Sequence, residues 1–113
     1  MSIPWRKIQQ ISEVTDAWNE SFSKPVLLFK HSTRCSISSM ALNRLERNWA
    51  GNEEKITPYY LDLIAFREVS NFIAQHSGIQ HESPQAIAVK NGEVIYHASH
   101  NGISLTDIME LIG

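Results

Sequence analysis

HESPQAIAVKNGEVIYHA, residues 81–98, carries the clearest local signal in the sequence. Two short strand-like segments flank Asn91-Gly92, and that pair favours a type I′ turn because both residues tolerate positive φ. The stretch predicts an antiparallel hairpin late in the chain. Ser83-Pro84 stands immediately before its first strand.

Working back from the hairpin, the pattern alternates strands and helices. "WRKI" reads as a short strand. "SEVTDAWNESF" reads as a helix with Val14, Trp18 and Phe22 on one face and Ser12 as N-cap. "KPVLLFKH" has a continuous apolar run from Val26 to Phe29, as a strand covered on both faces requires. Ile37, Met40, Ala41, Leu45 and Trp49 recur at helical spacing from Ser36 to Ala50, and Gly51 stops that helix. "TPYYLDL" reads as a strand, and "AFREVSNFIAQHSG" as a helix with Phe66, Val69, Phe72 and Ile73 inward and Gly78 at its end. After the hairpin, Ser104 and Asp107 stand in capping-box spacing, and Leu105, Ile108, Met109 and Ile112 face inward. The order β-α-β-α-β-α-β-β-α predicts an α/β thioredoxin-like fold: a central mixed sheet with an extra N-terminal strand, flanked by helices. No repeat, low-complexity tract or linker divides the chain, so residues 1–113 are read as one domain.

Composition narrows the function. The 113 residues are 42% hydrophobic and 19% charged, with ten basic against twelve acidic side chains and a net charge of −2. That balance offers no basic surface for nucleic acid. No apolar run approaches the ~20 residues that span a bilayer, and "MSIPWRKIQQ" lacks the apolar stretch of a signal peptide. The expectation is a cytoplasmic protein with no nucleic-acid or membrane partner. Cys35 is the only cysteine, so no internal disulfide forms.

On the predicted order, Cys35 falls between the end of a central strand and the first turn of the next helix, in "FKHSTRCSIS" (residues 29–38). N–H groups at a helix N-terminus carry partial positive charge, and Arg34 adds a full one; such settings favour the nucleophilic thiolate. The alternative for a free cysteine is burial as an inert core residue. Its neighbours Ser32, Thr33, Arg34, Ser36 and Ser38 argue against that. Ile37 and Ser38 belong to the same first turn. Ser38 stands three residues on, where it could donate to the thiolate or simply meet water. Of five histidines none pairs with another at H-x-x-x-H spacing, so no metal site is expected. His31 either adds positive charge near Cys35 or faces solvent at the strand end.

"HSTRC" followed by "IS" after one residue, "LDLIAFREVSNFIA", "HESPQ" and "KNGEVIYHASHNGIS" together resemble the monothiol bacilliredoxin family (YtxJ-like proteins), from Trp5 to Ile112. That family commonly has proline after the cysteine; here Ser36 stands there. The resemblance implies a thiol-disulfide oxidoreductase of redox homeostasis and stress response, in which Cys35 removes bacillithiol from mixed disulfides on client proteins. No cofactor is tightly bound; bacillithiol is the low-molecular-weight co-substrate, and free bacillithiol or a partner reductase completes the cycle. Thioredoxin-fold proteins carry a cis-proline facing the reactive cysteine, which points to Ser83-Pro84 as a ligand-pairing segment. Bacillithiol carries a malate with two carboxylates, so Arg34, Ser83, Pro84 and "NGIS" (Asn101, Gly102, Ser104) at the last helix start are its expected contacts. A plain helix cap is the alternative for Ser104. A non-enzymatic redox sensor or binding module modified at Cys35 is the alternative for the whole.

Overall fold

Val26–His31, strand β2, is buried along all six residues. In the computed structural model, which describes residues 3–113, it lies at the centre of a five-stranded sheet. Around it run β1 (Arg6–Lys7), α1 (Ile11–Glu20), α2 (Ser36–Arg47), β3 (Thr57–Asp62), α3 (Arg67–Ser77), β4 (Gln85–Lys90), β5 (Glu93–Ser99) and α4 (Leu105–Ile112). The strand order is β1-β3-β2-β4-β5. β1, β3 and β2 are parallel, whereas β4 pairs antiparallel with β2 and β5 with β4. The fold is the expected mixed sheet, with one short turn of 3-10 helix at Asn52–Glu54 and another at His100–Gly102.

Side-chain alternation sorts β2 between two cores. Leu27 and Phe29 join Ala41, Leu45, Ile108 and Ile112 from α2 and α4. Val26 and Leu28 join Val14, Ala17, Val69 and Ile73 from α1 and α3. The same alternation sends Lys30 toward α3 and His31 toward α2, and both are buried. Polar groups at these depths need partners, and the partners they find shape the site described below.

The hairpin turn has positive φ at both centres, 54° at Asn91 and 77° at Gly92. Gly92 is needed twice over, because a Cβ there would lie 2.6 Å from the Phe22 ring. Ser21 ties the end of α1 to this turn. Its carbonyl accepts the Asn91 N–H at 2.8 Å and its hydroxyl the Gly92 N–H at 2.9 Å.

Four helical expectations need correction. The N-cap of α1 is Gln10, with Glu13 reaching back to its N–H at 3.0 Å, and Ser12 lies inside the helix. Phe22 lies beyond α1 and is 63% exposed, lying over the hairpin turn and not in the core. α2 ends at Arg47, three residues before Ala50, and the chain then turns through left-handed Ala50 and Gly51. Ile37 (47%) and Met40 (62%) are exposed, because α2 buries the Ser38, Ala41 and Leu45 face instead. Ser104 caps α4 as expected, its hydroxyl accepting the Asp107 N–H at 3.3 Å.

Candidate active site

The topology brings separate segments to one end of the sheet. β2 runs toward this end, and antiparallel β4 starts from it, with Lys30 opposite Gln85. β5 returns to it, with Ser99 opposite Gln85. The loop carrying Cys35, the Ser83-Pro84 dipeptide and the His100–Gly102 turn therefore share one rim. The Ser83-Pro84 peptide bond is cis. The Pro84 carbonyl accepts the His100 N–H at 3.1 Å, joining the last two segments.

Cys35 is half-buried and is the N-cap of α2, with extended backbone angles. Its N–H donates to the Ser32 carbonyl at 3.2 Å, and its carbonyl accepts the Ser39 N–H at 3.1 Å. The N–H groups of the first helical turn have no intrahelical acceptor, and a side chain at the N-cap is directed toward them. Ser36, Ile37 and Ser38 supply those groups here. The Cys35 side chain makes no cap hydrogen bond of its own, so the sulfur is available to a reactant. Arg34 beside it is exposed. The Ile37 side chain points outward, so only its backbone can serve the sulfur.

Ser38 stands differently from the sequence reading. Its side chain is fully buried, 2.6 Å from His31 Nδ1, and its oxygen accepts the Ser32 N–H at 3.0 Å. Both interactions hold the β2–α2 turn together and neither involves Cys35. His31 neither faces solvent nor adds charge. It lies between Phe29 and Tyr60 with ring centroids 6.0 and 5.7 Å away. Burial holds it below the ordinary histidine range, opposed by the charge of Asp62. The residue read either as added charge or as a solvent-facing strand end is a buried brace for the turn.

On the other face of β2, Lys30 Nζ donates to the Ser70 carbonyl at 3.1 Å and to His81 Nδ1 at 3.2 Å. The Ser70 hydroxyl lies 3.2 Å from the same nitrogen. Burial pushes the Lys30 ammonium down to about 8. His81 is also held below its usual range, by burial first and then by the charges of Lys30 and Arg67, with Glu82 opposing. Neighbouring Gln85 donates from Nε2 to the Gln80 carbonyl at 2.9 Å, while its buried Oε1 is unpartnered among the described residues. The same holds for the buried Ser83 hydroxyl. Sequence reasoning missed this cluster, although a lysine continuing a wholly apolar run was its visible trace.

Of the remaining candidates, Asn101 and Gly102 are exposed on the rim. Ser104 serves the fold: besides capping α4 it donates its N–H to the Tyr96 hydroxyl at 2.9 Å. It also lines a groove of about 980 Å³ between α2 and α4, with Arg44, Leu45, Lys90 and Met109. That groove contains none of Cys35, Ser83 or Pro84. Among the described residues, no group of three or more His, Cys, Asp or Glu is placed to hold a metal ion. Among the same residues, no helix is long and apolar enough to cross a membrane.

Solved structures share this architecture. A thioredoxin-fold protein proposed as an oxidoreductase is 29% identical over 95% of this chain and 92% of its own, with a TM-score of 0.81. Thioredoxin from Malassezia sympodialis is 19% identical, with coverage of 96% and 87% and a TM-score of 0.70. Fasciola hepatica thioredoxin is 14% identical, with coverage of 95% of each chain and a TM-score of 0.70. At those last identities the likeness is one of fold. A thioredoxin-like frame with one half-exposed cysteine at the head of its second helix serves thiol redox chemistry. Residues 6–108 match the model of the monothiol bacilliredoxin BrxC, and the chain belongs to that family.

Proposed function

We propose that the protein is a cytosolic monothiol oxidoreductase that removes bacillithiol from mixed disulfides on client proteins. The observation that carries this reading is the setting of Cys35. It is the sole cysteine, half-buried at a helix N-cap, and the position three residues on holds a buried serine already bonded elsewhere. Nothing at that position could resolve an intramolecular disulfide.

The chemistry is thiol-disulfide exchange in two displacements. The Cys35 thiolate attacks the bacillithiol sulfur of a client mixed disulfide. A Cys35–bacillithiol disulfide forms, the original S–S bond breaks, and the client sulfur leaves as a thiolate that takes a proton from water. A bacillithiol thiolate then attacks the bacillithiol sulfur held on Cys35. Bacillithiol disulfide leaves, Cys35 returns as thiolate, and a separate reductase supplies the electrons that restore the two thiols. The free N–H groups of the first turn of α2 are suited to the anionic sulfur, as acceptor and as leaving group. Arg34 and the exposed Asn101-Gly102 turn are suited to the malate carboxylates. The backbone of Ser83 pairs with the extended thiol ligand. Ile37 offers the client an apolar contact beside the sulfur.

The test is turnover. The wild-type protein, mixed with excess bacillithiolated client and free bacillithiol, should release many equivalents of client thiol, and Cys35→Ser should release none. Release limited to one equivalent would instead identify a redox sensor modified at Cys35.

A further inference from the structure

A fully buried lysine in the central strand is an expensive choice. Desolvating an ammonium is costly, and an apolar side chain of similar length would fill the same space. Lys30 is 0% exposed, and its hydrogen bonds to Ser70 and His81 span 40 and 51 residues of sequence. His81 belongs to the segment Gln80–Pro84, which leads into β4 and carries Ser83. The partner of Lys30 across the β2–β4 ladder, Gln85, binds that segment too, through the Gln80 carbonyl. One residue pair at the end of the ladder thus grips the segment at two successive residues.

We infer that Lys30 is a positioning residue of the exchange site: through His81 it holds the Gln80–Pro84 segment in register with the strand that delivers Cys35. The inference rests on the proposed thiol exchange, in which Ser83 supplies the backbone that receives the thiol ligand. An ammonium can only donate, so His81 Nδ1 accepts and the ring carries its proton on Nε2. The bond is charge-assisted and its lysine end is fully buried, which makes it stronger than a bond between neutral groups. Ser70 fixes the lysine from α3, leaving the flexible stem no alternative partner. Lys30 touches neither reactant. It acts on where the receiving backbone stands.

The test compares wild type with Lys30→Met, using a peptide carrying one cysteine in mixed disulfide with bacillithiol as substrate. KM should rise about tenfold with kcat little changed, the signature of lost substrate binding. The rate at which iodoacetamide alkylates Cys35 should stay at the wild-type value, because that small reagent does not use the segment. Backbone order parameters of His81, Glu82 and Ser83, from NMR relaxation, should fall while those of α2 do not. His81→Leu removes the same bond from the loop side and should reproduce all three results, should Lys30→Met fail to fold. Unchanged order parameters at residues 81–83 would overturn the inference, as would an equal loss of iodoacetamide reactivity. The order-parameter readout needs no turnover, so it decides the role of Lys30 even if the peptide is no substrate of the wild type.

Discussion

The Ser38 hydroxyl lies 2.6 Å from Nδ1 of His31, closing a link between the head of α2 and the end of β2. The residue in the place of a resolving cysteine is thus part of the frame that holds Cys35, and it does not bond the sulfur. Ser38→Ala leaves the Ser32 N–H and the His31 ring without their partner. It should lower stability by about 1–3 kcal/mol, read as a lower urea midpoint at an unchanged slope. Alkylation of Cys35 should continue at close to the wild-type rate. A large loss of reactivity with stability intact would mean that Ser38 serves the sulfur directly.

Stability should depend on pH in two windows. His31 and His81 both sit below the ordinary value of 6.5, mainly through burial. Between 6.5 and their folded values the unfolded chain binds more protons, so stability falls as pH falls below 6.5. Lys30 moves from 10.5 to about 8, so the unfolded chain again holds more protons between those values. Its contribution therefore grows as pH rises from 8 to 10.5. Urea titrations from pH 5 to pH 10 check both limbs, and Lys30→Met should remove the alkaline one.

At pH 7 the same Lys30→Met substitution should leave the protein at least as stable as wild type. A shift from 10.5 to about 8 corresponds to about 3 kcal/mol of penalty on the charged form at 1.36 kcal/mol per unit. The hydrogen bonds given up offset part of that, so the net gain should be about 1–2 kcal/mol. Thermal unfolding reads it. Loss of stability would show that the lysine is held for the fold.

Gly92→Ala should destabilise by more than ~1 kcal/mol, since the residue has φ of +77° and its new Cβ would meet Phe22. Adding Phe22→Ala should recover only the clash and leave the backbone cost. A double-mutant cycle of urea midpoints separates the two.

Arg34→Gln should raise KM for a bacillithiol mixed disulfide by several-fold at low ionic strength, and the difference should shrink as salt screens the exposed guanidinium. A salt-independent loss would assign Arg34 to something other than the carboxylates.

Much of this was legible in local sequence. Asn91-Gly92 specified its turn through backbone preference alone, and the run Val26–Phe29 announced a strand covered on both faces. Ser104 and Asp107 marked a helix start with a residue pair that admits few other readings. The start of α1 was less determinate, because Gln10 and Ser12 are both polar near the first turn and Glu13 decides between them. Helical spacing in α2 admits two apolar faces. The fold buries the one containing Ser38, Ala41 and Leu45, where Ser38 meets His31. The buried cluster was hidden for a different reason. Lys30, Ser70 and His81 are brought together only by the sheet and α3, and nothing near any one of them in sequence names the other two. The place of Cys35 between β2 and the first turn of α2 was readable because it depends on a local strand-to-helix pattern.

In the proposed exchange Cys35 takes the bacillithiol sulfur and releases the client. Intact-mass analysis of the protein after one rapid mixing with bacillithiolated client, without free thiol, tests it most directly. One bacillithiol should add to each chain, located at Cys35, with an equal amount of free client thiol. A covalent Cys35–client complex with free bacillithiol, or an unmodified Cys35, would contradict it.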